Sequence, residues 1–577
     1  MPHVLRPQAA SLSLLLCLAS CGGAERQPPV DGGPPVDGGF SCEPERGYCD
    51  GRTHFVCGAD GASRVSEQRC ESGCDPEDGC RPCAPGERLC EEDVSFVCNE
   101  DARWVVVRDC GEWGSTCGVG VCEDACGEAE LRRRNVGCEL WAAPLANLFG
   151  GELDPERFDF RVVVVNPNAE PAHVAVSRGG RRLRDVVVGP GRLEVVVLPW
   201  VDGMSDALTP RRFESFVVEE GAYRITSDRP IAAFQFNPFE YESEGRKSFT
   251  NDASLLFPAH ALTGDYVGLS YAAAGTPSAA RLSGYLALVG TTEEVAEVEV
   301  IPSAPVLAER GAAFESIGAG ETLRFSLRRG EVAHLVVGGE GDDDLSGTIV
   351  HATQPIASFG GHVCANVTTE MGTCDHLETQ LPPTQTLGTR YAGTPLVAPR
   401  SGATNLLRVV AAFDDTNVAI GGTNVSLAAG QVHDVRVDAP FSLVASRPVL
   451  AAQFLLGAGE LEPRSEQGDP SLVALVPEEQ HRPDYVFVTP TSYAGATGQS
   501  YVVITRPTGA SVQLDGARLE EGWASVDEGH EVLRVEVDGG THRIAAEENV
   551  GVLVFGLGLD TSYAYPAGLE LERIVLL

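Results

Sequence analysis

Residues 223–239 read YRITSDRPIAAFQFNPF, a short polar corner between two apolar alternating runs. Similar stretches return three times: TIVHATQPIASFGGH at 348–362, FSLVASRPVLAAQFLLG at 441–457 and HRIAAEENVGVLVFGLG at 542–558. Aligned on the corners Pro230, Pro355, Pro448 and Asn549, each carries Ile225, Val350, Leu443 or Ile544 five residues earlier. One residue later stands Ile231, Ile356, Val449 or Val550. The pattern predicts a strand that enters a turn and a second strand that leaves it. Proline lacks the N–H a central ladder needs, so the first position of the outgoing strand tolerates it. Alternation then puts Ala232, Phe234 and Phe236, or Ala357 and Phe359, on one strand face.

More of the unit repeats than its corner. Downstream stand Asp252 in DASL, Asp375 in DHLE, Asp469 in DPSL and Asp560 in DTSY, each soon joined by Pro258, Pro382, Pro477 or Pro566. Alternating or β-branched runs (FRVVVVNP, GYLALVG, LLRVVAAF, YVVITRP) open the units. Repeats of roughly a hundred residues suit a sandwich module better than a propeller blade of about forty to fifty. The expected fold is all-β, with about four tandem β-sandwich modules at 126–280, 281–402, 403–498 and 499–577. The recurrent Asp reads as an Asx turn, its carboxylate accepting backbone N–H groups at a loop. A structural cation is the competing reading, and no other cofactor is expected. The acidic loop GGEGDDDLSG, with Asp342, Asp343 and Asp344, lacks the EF-hand ligand spacing and reads as a solvated hairpin.

Upstream lies a dense run of cysteines, fourteen between Cys42 and Cys138. Cys42, Cys49, Cys57, Cys70, Cys74 and Cys80 are echoed by Cys83, Cys90, Cys98, Cys110, Cys117 and Cys122, which gives two small repeats at 42–81 and 82–125. Units this small cannot bury enough apolar surface unaided, so cross-links or metal must offset chain entropy. The C-x2-C pair Cys80 and Cys83 straddles the boundary instead of recurring, which favours disulfides over zinc. Six cysteines allow fifteen pairings per repeat, and the connectivity is open. Cys126 and Cys138 complete this set. Further on, GHVCANVTTEMGTCDH mirrors His362 and Cys364 in Cys374 and His376. Zinc is one reading; a bridge between Cys364 and Cys374 is the simpler one in an exported chain.

Export is read from the amino terminus. An apolar run ends in LASC at residues 18–21, too short to span a bilayer. LASC resembles the lipobox of bacterial lipoproteins, which implies a signal peptide over 1–20 and acylation of Cys21. The stretch 21–41 contains PPVDGG twice and reads as a disordered Pro/Gly tether.

The formal net charge of −39 argues against a nucleic-acid partner. The short basic clusters Arg132 to Arg134 and Arg181 to Arg184 read as solvated surface. No serine elbow G-x-S-x-G, H-E-x-x-H helix or phosphate-cradling glycine loop occurs, so no catalytic residue is assigned.

Four stretches together resemble bacterial members of the IgG Fc-binding protein N-terminal domain family. They are RNVGCELWAA at 134–143, AYRITSDRPIAAFQFNP, NDASLLFPAHALTGDYVGLSY at 251–271, and GGHVCANV with TCDHLETQLPPTQ. The likeness spans about 126–577. With the lipobox, the tether and the Arg-rich, Lys-poor usage, the chain resembles a myxobacterial surface lipoprotein. This resemblance implies a non-catalytic recognition or adhesion protein on the bacterial outer membrane. It would be held through its N-terminal lipid and would bind an extracellular protein or glycan. The alternative is an envelope hydrolase acting on polysaccharide or peptide.

Overall fold

The computed structural model describes residues 42–574, except 45, 51–52, 71–73, 76–78, 81, 148–157, 205–213, 244, 273–281, 309–312, 339–342, 368–373, 397–404, 458–467 and 494–497. The signal, Cys21 and the tether lie outside the described residues. The chain divides into two compact units, Met1–Arg81 and Pro82–Leu577.

In the first unit a three-stranded antiparallel sheet, Gly47–Asp50, Thr53–Cys57 and Arg64–Arg69, is stapled by Cys42–Cys57 and Cys70–Cys80. Cys49 is also disulfide-bonded. The second unit opens on the same design: strands Arg88–Glu91, Val94–Cys98 and Trp104–Asp109, with Cys83–Cys98, Cys90–Cys117 and Cys110–Cys122. The pairs Cys42–Cys57 and Cys70–Cys80 are thus equivalent to Cys83–Cys98 and Cys110–Cys122. Contacts nevertheless join the second copy to the β modules in one unit. The connector is the helix Ala125–Leu131, capped by the Asp124 carboxylate, which accepts from the Gly127 N–H at 2.8 Å. Cys126–Cys138 ties this helix to the next strand, Gly137–Ala142.

The corner motif proves to be a strand that changes sheets, not a turn. Tyr223–Phe236, Phe441–Phe454 and Gly540–Gly558 each run continuously through Pro230, Pro448 and Asn549. Only around Pro355 does the ladder break, between Ile349–Ala352 and Ile356–Ala365. The first half of each bent strand sits between two partners in one sheet: Gly137–Ala142 and Ala172–Arg178 in the first module, Gly388–Gly393 and Thr416–Ile420 in the third. Its second half sits between two partners in the facing sheet, such as Phe160–Val165 and Ala253–Leu256. The second and fourth modules repeat this pairing. The prolines fall where the strand leaves one ladder for the next, so the missing N–H costs no central hydrogen bond. Burial follows the same division. In Tyr223–Phe236 the incoming half alternates between buried and partly exposed residues, whereas from Pro230 every residue is buried, as in a strand covered on both faces.

Pairing also shifts the module boundaries. The strands Tyr266–Val267, Gly388–Gly393 and Arg482–Thr489 hydrogen-bond forward, to the bent strand of the following module. By this pairing the last three modules start one strand earlier than the composition indicates, and Phe216–Val218 also joins the sheet of the second module.

The four modules do not form a row. Their last strands, Ala253–Leu256, Asp375–Gln380, Leu472–Ala474 and Thr561–Pro566, touch one another in chain order, and the first touches the last. This closes a four-membered ring with those strands around its axis. Aromatic packing seals the closure, with Phe234 and Tyr565 centroids 4.9 Å apart. The C-terminal segment completes it: the Leu571 N–H donates to the Arg133 carbonyl (2.9 Å) and the Ile574 N–H to that of Gln385 (2.7 Å). Between the second and third modules, backbones meet at Gly347 (φ 87°) and Gly430 (φ 75°), where a Cβ on Gly347 would lie 1.9 Å from the Gly430 carbonyl oxygen.

Candidate binding site

Three of the four recurrent aspartates, Asp252, Asp375 and Asp469, converge on the ring axis. Asp252 is fully buried and is not the loop-side Asx turn expected of it. Its Oδ1 accepts from the N–H groups of Ala253 (2.9 Å) and Ala564 (3.2 Å), and its Oδ2 from those of Glu378 (3.0 Å) and Leu472 (3.3 Å). One carboxylate thereby gathers a backbone donor from each of the four modules. Asp375 accepts from the His376 N–H (2.7 Å), the Thr561 hydroxyl (3.0 Å) and the Ser562 N–H (3.2 Å). Burial, then repulsion from Asp469 and Asp252, holds the Asp375 carboxyl well above the usual range. Burial also holds Asp252 well above it, against the pull of its backbone donors. Asp560 departs from the other three: it is part-exposed, with a left-handed backbone at φ 49°. Among the described residues no cluster of His, Cys, Asp and Glu has metal-binding geometry. These axial carboxylates are sealed from solvent and cannot meet a substrate; their work is to hold the modules together.

An ion cluster performs the same task between the second and third modules. Arg408 donates to both carboxylate oxygens of Asp434 at 2.8 Å, to Asp344, to the Ser270 carbonyl (2.9 Å) and to the Ser346 hydroxyl (3.0 Å). Its guanidinium lies over Tyr271 and Phe454. Asp344, expected to be solvated, instead supplies a counter-charge to an arginine side chain only 6% exposed, while Asp342 and the preceding residues 339–341 of the acidic loop lie outside the described residues.

The open recess lies elsewhere, where the second Cys-rich repeat meets the first two modules and the C-terminal segment. It is a cleft of about 210 Å³. The strands Val94–Cys98 and Trp104–Asp109 line it on the side of the Cys-rich repeat, and the turn from Ala259 to Asp265 with the corner from His351 to Pro355 lines it from the modules. Several polar contacts clasp the walls. Asn99 Nδ2 donates to the Thr353 carbonyl at 2.8 Å, and Arg573 pairs with Glu100 at 2.6 Å. His351 stands between Asp101 (Nε2 to Oδ1, 3.6 Å) and Asp265 (Nδ1 to Oδ1, 2.6 Å). These two carboxylates, Asp101 foremost, raise its pKa to about 10. Arg88 pairs with the buried Glu130. Arg133, expected to be solvated, is instead part-buried and lines the cleft.

The chain matches the model of the IgGFc-binding protein family over residues 252–556, from the last strand of the first module into the last module and more than half of the chain. The chain belongs to that family. It is also 28% identical over 452 residues to the human IgGFc-binding protein, across 76% of this chain but only 8% of the human one. Within this family member, the matched region contains Asp252, Asp375 and Asp469 but not Asp560, and includes the corners Pro355, Pro448 and Asn549.

The cysteines and histidines of the mirrored motif separate cleanly. Cys364 and Cys374 form a disulfide. His362 is buried and held neutral by that burial, at about 3. His376 lies 3.1 Å from Asn237 Nδ2 and 3.4 Å from Glu378 Oε2, so the four residues do not share a zinc. A set of tyrosines carries no mark in the repeat as read from sequence. Tyr266, Tyr391 and Tyr485 each donate a hydroxyl to the carbonyl just beyond the sheet switch, at Ile356 (2.6 Å), Val449 (2.5 Å) and Val550 (2.5 Å). Each stands eight residues after a proline, Pro258, Pro383 or Pro477, which is a readable signal. The cleft left no such trace, because its walls come from segments distant in sequence.

Proposed function

We propose that this chain is a non-catalytic recognition protein, displayed outside the cell on a lipid-anchored tether from Cys21, which binds an extracellular protein at the cleft beside the ring. Family membership carries the reading. The human relative's name refers to IgG Fc binding, which makes Fc one partner to try. The geometry supports a binding role. The ring is cross-braced at its axis and by the Arg408 cluster, so it offers a stiff support, and the recess lies at its edge against the Cys-rich repeat. Such preorganisation limits the entropy lost on association. Among the described residues no helix is long and apolar enough to cross a membrane; attachment rests on the lipid, whose chains contribute roughly 0.8 kcal/mol per buried CH₂.

The test is a binding screen of the mature chain against arrayed extracellular proteins, glycans and immunoglobulin Fc, followed by competition with a variant blocked at the cleft. Saturable capture of a protein, lost on blocking the cleft, supports the reading. Capture of glycans alone, or turnover of a polysaccharide, contradicts it.

A further inference from the structure

Arg133 is the residue in the cleft whose charge is left unanswered. Its backbone takes the left-handed conformation (φ 46°), and its carbonyl is engaged by the Leu571 N–H, which fixes the residue in place. Among the described residues its side chain has neither an ion pair nor a hydrogen bond, although neighbouring guanidinium groups have theirs: Arg88 on Glu130 and Arg573 on Glu100. Burial, then Arg573 and Arg88, lowers the Arg133 pKa to about 10, in spite of Glu100 and Glu130. A partly desolvated guanidinium beside two others is unfavourable until an anion meets it, and its planar fork matches an oxyanion bidentately.

We propose that Arg133 is the floor of an oxyanion site, and that the group it takes is a single side-chain carboxylate of a protein partner. This rests on the reading of the cleft as a protein-binding site. Two observations choose that class. Carboxylates lining the cleft outnumber guanidinium groups nine to six, so a polyanion such as nucleic acid or a heavily sulfated glycan is repelled at the rim. Val106, 40% exposed, gives the cleft lining an aliphatic patch, which a carboxylate on a short methylene stem covers while a bare inorganic anion leaves it wet.

The experiment is titration calorimetry of the mature chain at low ionic strength with N-acetylglutamate amide, with acetate and with inorganic sulfate. Saturable one-site binding of N-acetylglutamate amide, several-fold tighter than acetate or sulfate, is the expected result. Arg133→Gln should weaken it about tenfold or more, the loss of a charge-assisted hydrogen bond, with circular dichroism unchanged. No binding to the native chain, or equal binding by Arg133→Gln, overturns the site. Sulfate binding as tight as N-acetylglutamate amide overturns the carboxylate assignment. Should Arg133→Gln fail to fold, Arg133→Lys decides: it keeps the charge but loses the fork, so weakened binding supports the site and unchanged binding overturns it. Protein capture in the array screen without carboxylate binding removes this site and leaves the recognition reading standing. Carboxylate binding without any protein capture does the reverse.

Discussion

Asp252 is the sharpest place to perturb the ring. Its carboxylate accepts four backbone N–H groups, one from each module. Asp252→Asn keeps the shape but replaces one oxygen by an NH₂ group. The remaining oxygen serves one pair of donors, either Ala253 with Ala564 or Glu378 with Leu472, and the other pair then faces donors. A buried donor without an acceptor costs about 1–3 kcal/mol, so two cost about 2–6 kcal/mol. The neutral amide escapes part of the desolvation penalty of the carboxylate, which brings the net loss to about 2–4 kcal/mol. Asp560 provides the control: it stands at the equivalent sequence position but off the axis, and asparagine tolerates its left-handed backbone as well as aspartate does. Asp560→Asn should change stability by less than about 1 kcal/mol. Guanidinium chloride unfolding followed by tryptophan fluorescence reads both, with hydrogen exchange at Ala564, Glu378 and Leu472 as a local check. If Asp252→Asn unfolds within about 0.5 kcal/mol of the native chain, Asp252 is not the hub of the ring.

Four further outcomes are expected. The Asp375 carboxyl is raised by burial, so between its unfolded value near 3.8 and its folded value the native ring holds the extra proton; its contribution to stability is largest at low pH and falls as pH rises through the folded value. Asp375→Asn should flatten that decline in thermal unfolding midpoints measured across pH. For His351 the link to Asp101 and Asp265 is fully present below about pH 6.5 and is lost as pH rises through about 10. Hydrogen exchange in residues 94–109 should therefore speed up in His351→Gln at neutral pH, and the difference from the native chain should vanish once the pH passes about 10. Tyr391→Phe strands the buried Val449 carbonyl and should cost about 1–3 kcal/mol in denaturant. Cys21→Ser should release the exported protein from the membrane fraction, and retention there would contradict the lipid anchor.

The repeat was legible because its signals are local. Proline at the sheet switch, an aspartate before the last strand and β-branched alternation all lie within a few residues of one another, and each has a backbone reason to recur. The switch itself was misread as a turn, since a polar break in an apolar run looks the same whether the chain reverses or only changes ladders. Boundaries slipped by one strand because Tyr266–Val267, Gly388–Gly393 and Arg482–Thr489 are joined to their modules by pairing, which no local pattern records. Closure of the ring depends on meetings such as Asp252 with Ala564, more than three hundred residues apart. The place of Arg133 was hidden for a similar reason: an Arg-Arg-Arg run reads as solvated until the C-terminal segment and the Cys-rich repeat are seen to cover its middle member.

Small-angle X-ray scattering from residues 82–577 tests the closed ring most directly. A single compact body of this length has a radius of gyration of about 23 Å, and a closed ring should give that value. Four sandwiches strung out in a row would exceed about 35 Å, and a measurement in that range would contradict closure.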